Sequence, residues 1–155
     1  METLESIVLA QEFFAGIDPE IGAFIAGCAR NHHFEPGAYL FREGDSAREF
    51  YLIRHGEVSL EITSAGNSTL VLATMHDGDV VGASWLVPPY KWTSDARART
   101  HLRAIGFDAE CLRAKCEDDP RTGYQMLKRF AGGMVSRLQA AHLQLLDVYG
   151  RPEGT

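Results

Sequence analysis

Gly78-Asp79-Val80-Val81-Gly82-Ala83-Ser84-Trp85-Leu86 is the stretch whose reading decides the fold. It closes a series of glycines, Gly37, Gly44, Gly56, Gly66, Gly78 and Gly82, that punctuate short alternating apolar segments. Those segments, Tyr39-Leu40-Phe41, Phe50-Tyr51-Leu52-Ile53, Val58-Ser59-Leu60-Glu61-Ile62 and Leu70-Val71-Leu72-Ala73, are rich in β-formers and read as strands from His33 onward. Pro36-Gly37, Glu43-Gly44-Asp45, His55-Gly56 and Ala65-Gly66-Asn67 lie between them and supply preset or positive-φ turns. Turns at this regularity predict a small antiparallel barrel or jelly roll.

Beyond the deciding stretch, Val87-Pro88-Pro89-Tyr90-Lys91-Trp92 is a stiff aromatic loop, because two prolines stop a helix. Strands resume at about Asp95. In Asp95-Ala96-Arg97-Ala98-Arg99-Thr100 small and charged residues alternate, so Ala96 and Ala98 turned inward send Arg97 and Arg99 outward. Leu102 to Phe107 reads as the last strand, and Asp108 caps a short helix through Cys116.

Helices flank this β region. Leu4, Ile7, Val8, Phe13 and Phe14 stand at helical spacing, and Asp18-Pro19-Glu20 reads as N-cap, first-turn proline and first-turn acid of a helix running to about Arg30. Ile21, Phe24, Ile25 and Cys28 place its apolar face against a sheet. Pro120 opens the longest helix, whose stripe Leu127, Phe130, Met134, Leu138, Ala141, Leu145 and Val148 is longer than a small roll needs. The surplus predicts a partner helix, most simply the same helix of a second copy, with Leu127, Phe130, Met134, Leu138, Ala141 and Leu145 as the dimer face. Gly132-Gly133 predicts a kink or a close backbone contact. The expected division is 1–32 N-terminal helices, 33–108 β-roll and 109–150 C-terminal helices, within one domain.

The chain has 155 residues, 45% apolar and 23% charged, enough for one compact core. A formal charge of −6 disfavours a general nucleic-acid surface. No apolar run is long enough to cross a bilayer, and Glu2 and Glu5 stand where a signal peptide carries positive charge, so the cytoplasm is the expected location. Cys28, Cys111 and Cys116 lack metal-site or redox-motif spacing and read as reduced thiols.

Phe34-Glu35-Pro36-Gly37-Ala38-Tyr39-Leu40-Phe41-Arg42-Glu43-Gly44-Asp45, then Phe50-Tyr51-Leu52-Ile53-Arg54-His55-Gly56-Glu57-Val58, then Gly78-Asp79-Val80-Val81-Gly82, resembles the cyclic-nucleotide-binding domains of the catabolite-activator and fumarate-nitrate-reductase regulator family, from about Phe13 to Val148. The resemblance implies a mainly β fold, a double-stranded β-helix (jelly roll) of eight strands with flanking helices and a long C-terminal helix. It also implies a phosphate-binding cassette over residues 78–94, in which a short helix just after Gly82 points its N-terminus at a cyclic phosphate. Backbone N–H groups and the helix dipole attract an anion there without a side-chain charge.

The family commonly follows that glycine with a glutamate for the ribose hydroxyl and sets an arginine further along for the phosphate; this chain has Ala83 and Thr93. Losing two charge-assisted hydrogen bonds costs roughly 3–6 kcal/mol, two to four decades of affinity. Lys91, Thr93 and Ser94 offer partial compensation, and Trp85, Tyr90 and Trp92 either stack a base or fill the pocket. The candidate ligand residues are therefore Gly82, Ala83, Ser84, Trp85, Lys91, Trp92, Thr93 and Ser94, with cyclic AMP, cyclic GMP or another small molecule as the ligand.

Metal-dependent cupin enzymes share the double-stranded roll, but here no His-X-His triplet occurs. His32-His33 point to opposite faces of a strand, and His55, His76, His101 and His142 are scattered. No catalytic nucleophile, metal or cofactor is expected. The chain ends at Thr155 without the helix-turn-helix that follows the long helix in transcriptional members, so direct DNA binding is not expected. The primary expectation is a non-enzymatic sensor or regulatory module acting on an unidentified protein partner. The alternatives are a roll with a filled pocket kept for association and, third, a cupin-type metal enzyme.

Overall fold

The computed structural model describes residues 3–149. Two four-stranded antiparallel sheets form the roll. One has the order β1-β8-β3-β6 and contains β1 (Ala29–Phe34), β3 (Glu49–His55), β6 (Val80–Val81) and β8 (Leu102–Asp108). The other has the order β2-β7-β4-β5 and contains β2 (Tyr39–Phe41), β4 (Val58–Thr63), β5 (Thr69–Met75) and β7 (Asp95–Ala98). This is the jelly roll the turn spacing predicts.

Pleating gives each sheet two characters. In the first, Phe50 pairs with Phe107 and their rings stack at 4.8 Å, forming a face that meets the helices. Phe14 lies 5.7 Å from Phe107, and Phe130 lies edge-on to Phe50 at 5.1 Å. The alternate residues Glu49, Tyr51 and Gly106 point the other way. In the second sheet Ala96 and Ala98 are buried while Arg97 is half-buried and Arg99 exposed, as strand alternation requires.

Among the described residues four α-helices flank the roll: α1 (Leu4–Leu9), α2 (Pro19–Gly27), α3 (Ala109–Asp118) and α4 (Pro120–Tyr149). Asp18 caps α2 by accepting from the Glu20 N–H, and Asp108 caps α3 by accepting from the Cys111 N–H. Only Thr122, Met126 and Phe130 of α4 are buried.

Three local expectations are corrected. The helix expected to reach Arg30 ends at Gly27, and the roll begins at Ala29 rather than His33. Ala29-Arg30-Asn31-His32 has no β-branched residue, so propensity is silent there; pairing along β8, from Ala29 opposite Phe107 to Phe34 opposite Leu102, makes the strand. The segment 4–14 splits into α1 and a 3-10 turn, Glu12–Phe14. The short helix after Gly82 is a single 3-10 turn, Ser84–Leu86. Gly132 and Gly133 sit inside a continuous α4, and within this chain an added Cβ at either would meet no neighbour within 4 Å. The outer ends of the expected segments 1–32 and 109–150 lie outside the described residues.

Candidate functional site

The site is built around Gly82, which follows β6 with φ +102°, a conformation open to glycine and costly for other residues. Space makes the same demand. A Cβ on Gly82 would stand 2.6 Å from both Cη2 and Cζ3 of Trp92, whose indole lies against the α-carbon. Trp92 is 4% exposed and stacks on Phe41 with ring centroids 3.9 Å apart and planes 12° from parallel.

The backbone fixes that indole. Trp92 donates its N–H to Asp45 O at 3.0 Å and accepts from the Gly44 N–H at 2.8 Å, while Ala47 donates to Tyr90 O at 2.8 Å. Residues 90–92 are thereby zipped to residues 44–47, with Ser46 and Lys91 bridged between them. The space on the Cβ side of Gly82 is filled by the chain's own side chain.

Trp85 goes elsewhere. It is fully buried, stacked on Phe50 at 4.7 Å and edge-on to Phe130 at 5.4 Å, which places it in the helix-side core and not over the cassette. The backbone of its turn is held by α3: Arg113 Nη1 donates to Trp85 O at 2.9 Å, and its guanidinium lies 4.4 Å from the Tyr90 ring centre. Arg113 carries no local sequence signal, since only the tertiary fold brings α3 to this loop.

The other expected site residues differ in exposure. Ala83 and Ser84 are half-buried, Lys91 and Thr93 are exposed, and Ser94 is buried. Of the expected dimer face, Leu127, Met134, Leu138, Ala141 and Leu145 are exposed. Phe130 is the exception: at 4% exposure it is a core residue against Phe13, Phe50 and Trp85.

Residues 31–119 match the family model for the cyclic nucleotide-binding domain. The chain belongs to this family. It is 26% identical over 149 residues to a CRP-like cAMP-activated global transcriptional regulator of Mycobacterium tuberculosis, covering 96% of this chain and 66% of that relative. It is 30% identical over 114 residues to human potassium/sodium hyperpolarization-activated cyclic nucleotide-gated channel 4, covering 74% of this chain and 9% of the channel. The chain thus spans just under two thirds of the regulator and a small part of the channel. A crystal structure from Geobacter metallireducens GS-15, of a protein described as cyclic nucleotide-binding, superposes with a TM-score of 0.79 at 27% identity and covers 89% of this chain and 99% of its own. No helix among the described residues is long and apolar enough to cross a membrane.

On the far side of Trp92 this cyclic nucleotide-binding domain has an open cleft of about 620 Å³, lined among others by Arg30, Asp45, Arg48, Glu49 and Tyr51. Glu49 organises it. Its Oε2 accepts from Arg30 Nε at 3.1 Å and lies 2.8 Å from His32 Nε2, and its Oε1 accepts from Tyr51 OH at 3.1 Å. Gly106 beside it has no side chain because a Cβ would collide with the Glu49 carboxylate and the His32 ring. Burial opposes ionisation of Glu49, but hydrogen bonds from Arg30 and His32 outweigh it and hold the carboxyl below its ordinary value. Burial, then the charge of Glu49, push the Tyr51 phenol far up. The group is a satisfied charge network, and sequence reading missed it because its members come from β1 and β3.

Histidines also depart from expectation. His101, expected to be isolated, meets His33 across the end of the first sheet, with Glu35 beside it.

Proposed function

We propose that this domain is a non-enzymatic regulatory module of the cytoplasm whose cassette is occupied by Trp92 in place of a cyclic nucleotide, and whose output is association through α4. The observation that carries the reading is the contact between the Trp92 indole and Gly82. An incoming cyclic phosphate needs that space, and the side chains at hand, Ala83 and Thr93, supply neither carboxylate nor guanidinium to offset the loss of a buried, stacked indole.

The long helix supports the second half. Exposed apolar residues of α4 include Leu127, Met134, Leu138, Leu145 and Val148. With Phe130 assigned to the core, Tyr124, Leu127, Ala131, Met134, Leu138, Ala141, Leu145 and Val148 recur at alternating intervals of three and four without interruption. That is a coiled-coil seam of period 3.5, and the occupant it fits is the same seam of a second copy. At 30 residues the helix is about 45 Å long, and its fully buried residues, Thr122, Met126 and Phe130, all lie in its first third.

The mycobacterial relative is named as cAMP-activated, so cyclic AMP is the first ligand to test. Sedimentation of the chain with and without millimolar cyclic AMP tests the reading. A dimer unchanged by nucleotide is expected. A monomer that dimerises only on addition would establish a ligand-driven sensor instead.

A further inference from the structure

At the end of β1 remote from the charged cleft, the fold gathers three ligating side chains that do not take part in the cassette. His33 lies near the end of β1, Glu35 follows the strand, and His101 sits in the turn between β7 and β8. The β1–β8 ladder, which pairs His33 with Arg103 and Phe34 with Leu102, carries these residues to one sheet end although His33 and His101 are 68 positions apart. His33 Nε2 and His101 Nε2 are 2.5 Å apart, and His101 Nδ1 lies 3.4 Å from Glu35 Oε2. All three are exposed, and one ligand atom from each lies within 4.8 Å of the others.

The two ring nitrogens face each other closely enough to share one electropositive centre. A proton is one such centre and a metal ion the other. Each neutral imidazole leaves one ring nitrogen as a lone-pair donor, the form a metal needs, and the Glu35 carboxylate stands beside the His101 ring as the third donor. Two imidazoles on one tetrahedral ion with bonds of about 2.0–2.1 Å stand roughly 3.3 Å apart, so the rings need part by only about 1 Å, which exposed side chains allow. Two imidazoles and a carboxylate favour a late first-row divalent ion over magnesium or calcium.

We infer that His33, His101 and Glu35 form a surface site for one divalent transition-metal ion of the zinc, nickel or copper(II) class, with at least one coordination position left to water. This lies apart from the function proposed above, because the site is on the opposite end of β1 from Arg30 and shares no residue with Gly82, Trp92 or α4.

The test is calorimetric titration of zinc chloride into the chelator-treated chain, paired with the histidine ring signals in NMR. One ion per chain at micromolar affinity is expected, with the His33 and His101 signals moving first. His33→Ala and His101→Ala should each weaken binding at least tenfold, Glu35→Gln by about tenfold, and His76→Ala should leave it unchanged. The absence of saturable binding, or undiminished binding in the His33→Ala/His101→Ala double variant, would overturn the assignment and leave a shared proton between the rings.

Discussion

The indole of Trp92 rests on the α-carbon of Gly82 and is backed by the ring of Phe41. This layered arrangement requires glycine twice, once for space and once for φ +102°. Gly82→Ala should therefore destabilise the fold by about 2–4 kcal/mol, from left-handed backbone strain and overpacking together. Urea denaturation reads this directly. A loss below 0.5 kcal/mol, on the order of an ordinary surface change, would mean that Trp92 moves aside freely.

The α4 seam and the core contact of Phe130 respond to mutation in opposite ways. Leu138→Glu together with Leu145→Glu should yield folded monomers, since both side chains are exposed in the single chain. Phe130→Ala should lower unfolding stability by about 3–5 kcal/mol through the cavity left among Phe13, Phe50 and Trp85. Sedimentation and denaturation measured on both variants separate the two roles. A dimer that survives the double charge places the interface elsewhere.

Arg113 joins α3 to the cassette turn through Trp85 O and the Tyr90 ring. Arg113→Ala should cost about 1.5–3 kcal/mol, the worth of a charged hydrogen bond, and should raise amide hydrogen exchange within residues 84–90 before it affects β3 or β8. Uniform acceleration across the roll would argue that Arg113 has no particular hold on the cassette.

Acid should weaken the fold through Glu49. Its folded carboxyl titrates below its ordinary 4.5, so the unfolded chain takes up the proton first as pH falls. Stability from this group is present above about pH 4.5 and declines as pH drops through the folded value. Denaturation midpoints between pH 3 and 6 should therefore fall more steeply for the native chain than for Glu49→Gln; equal slopes would remove Glu49 from the account.

Much of this architecture is legible in the sequence because turn glycines and alternating apolar residues carry local signals. The strands from Tyr39 to Met75, the cap at Asp18 and the long helix from Pro120 all announce themselves that way. β1 does not, since Arg30, Asn31 and His32 become a strand only through their partner β8. The site is less legible for the same reason. Composition marks Trp85 and Trp92 as equivalent aromatics, but one is drawn into the helix-side core and the other onto Gly82. Neither the meeting of His33 with His101 nor the reach of Arg113 to Trp85 has a local signature. In α4 the apolar spacing of Phe130 resembles that of its neighbours, and only packing against Phe50 removes it from the exposed seam.

Calorimetric titration of cyclic AMP into the native chain, at protein concentrations able to detect millimolar dissociation constants, tests the occupied cassette most directly. The account predicts no saturable heat. Stoichiometric binding at micromolar concentration would show that Trp92 yields its place to the nucleotide and would contradict it.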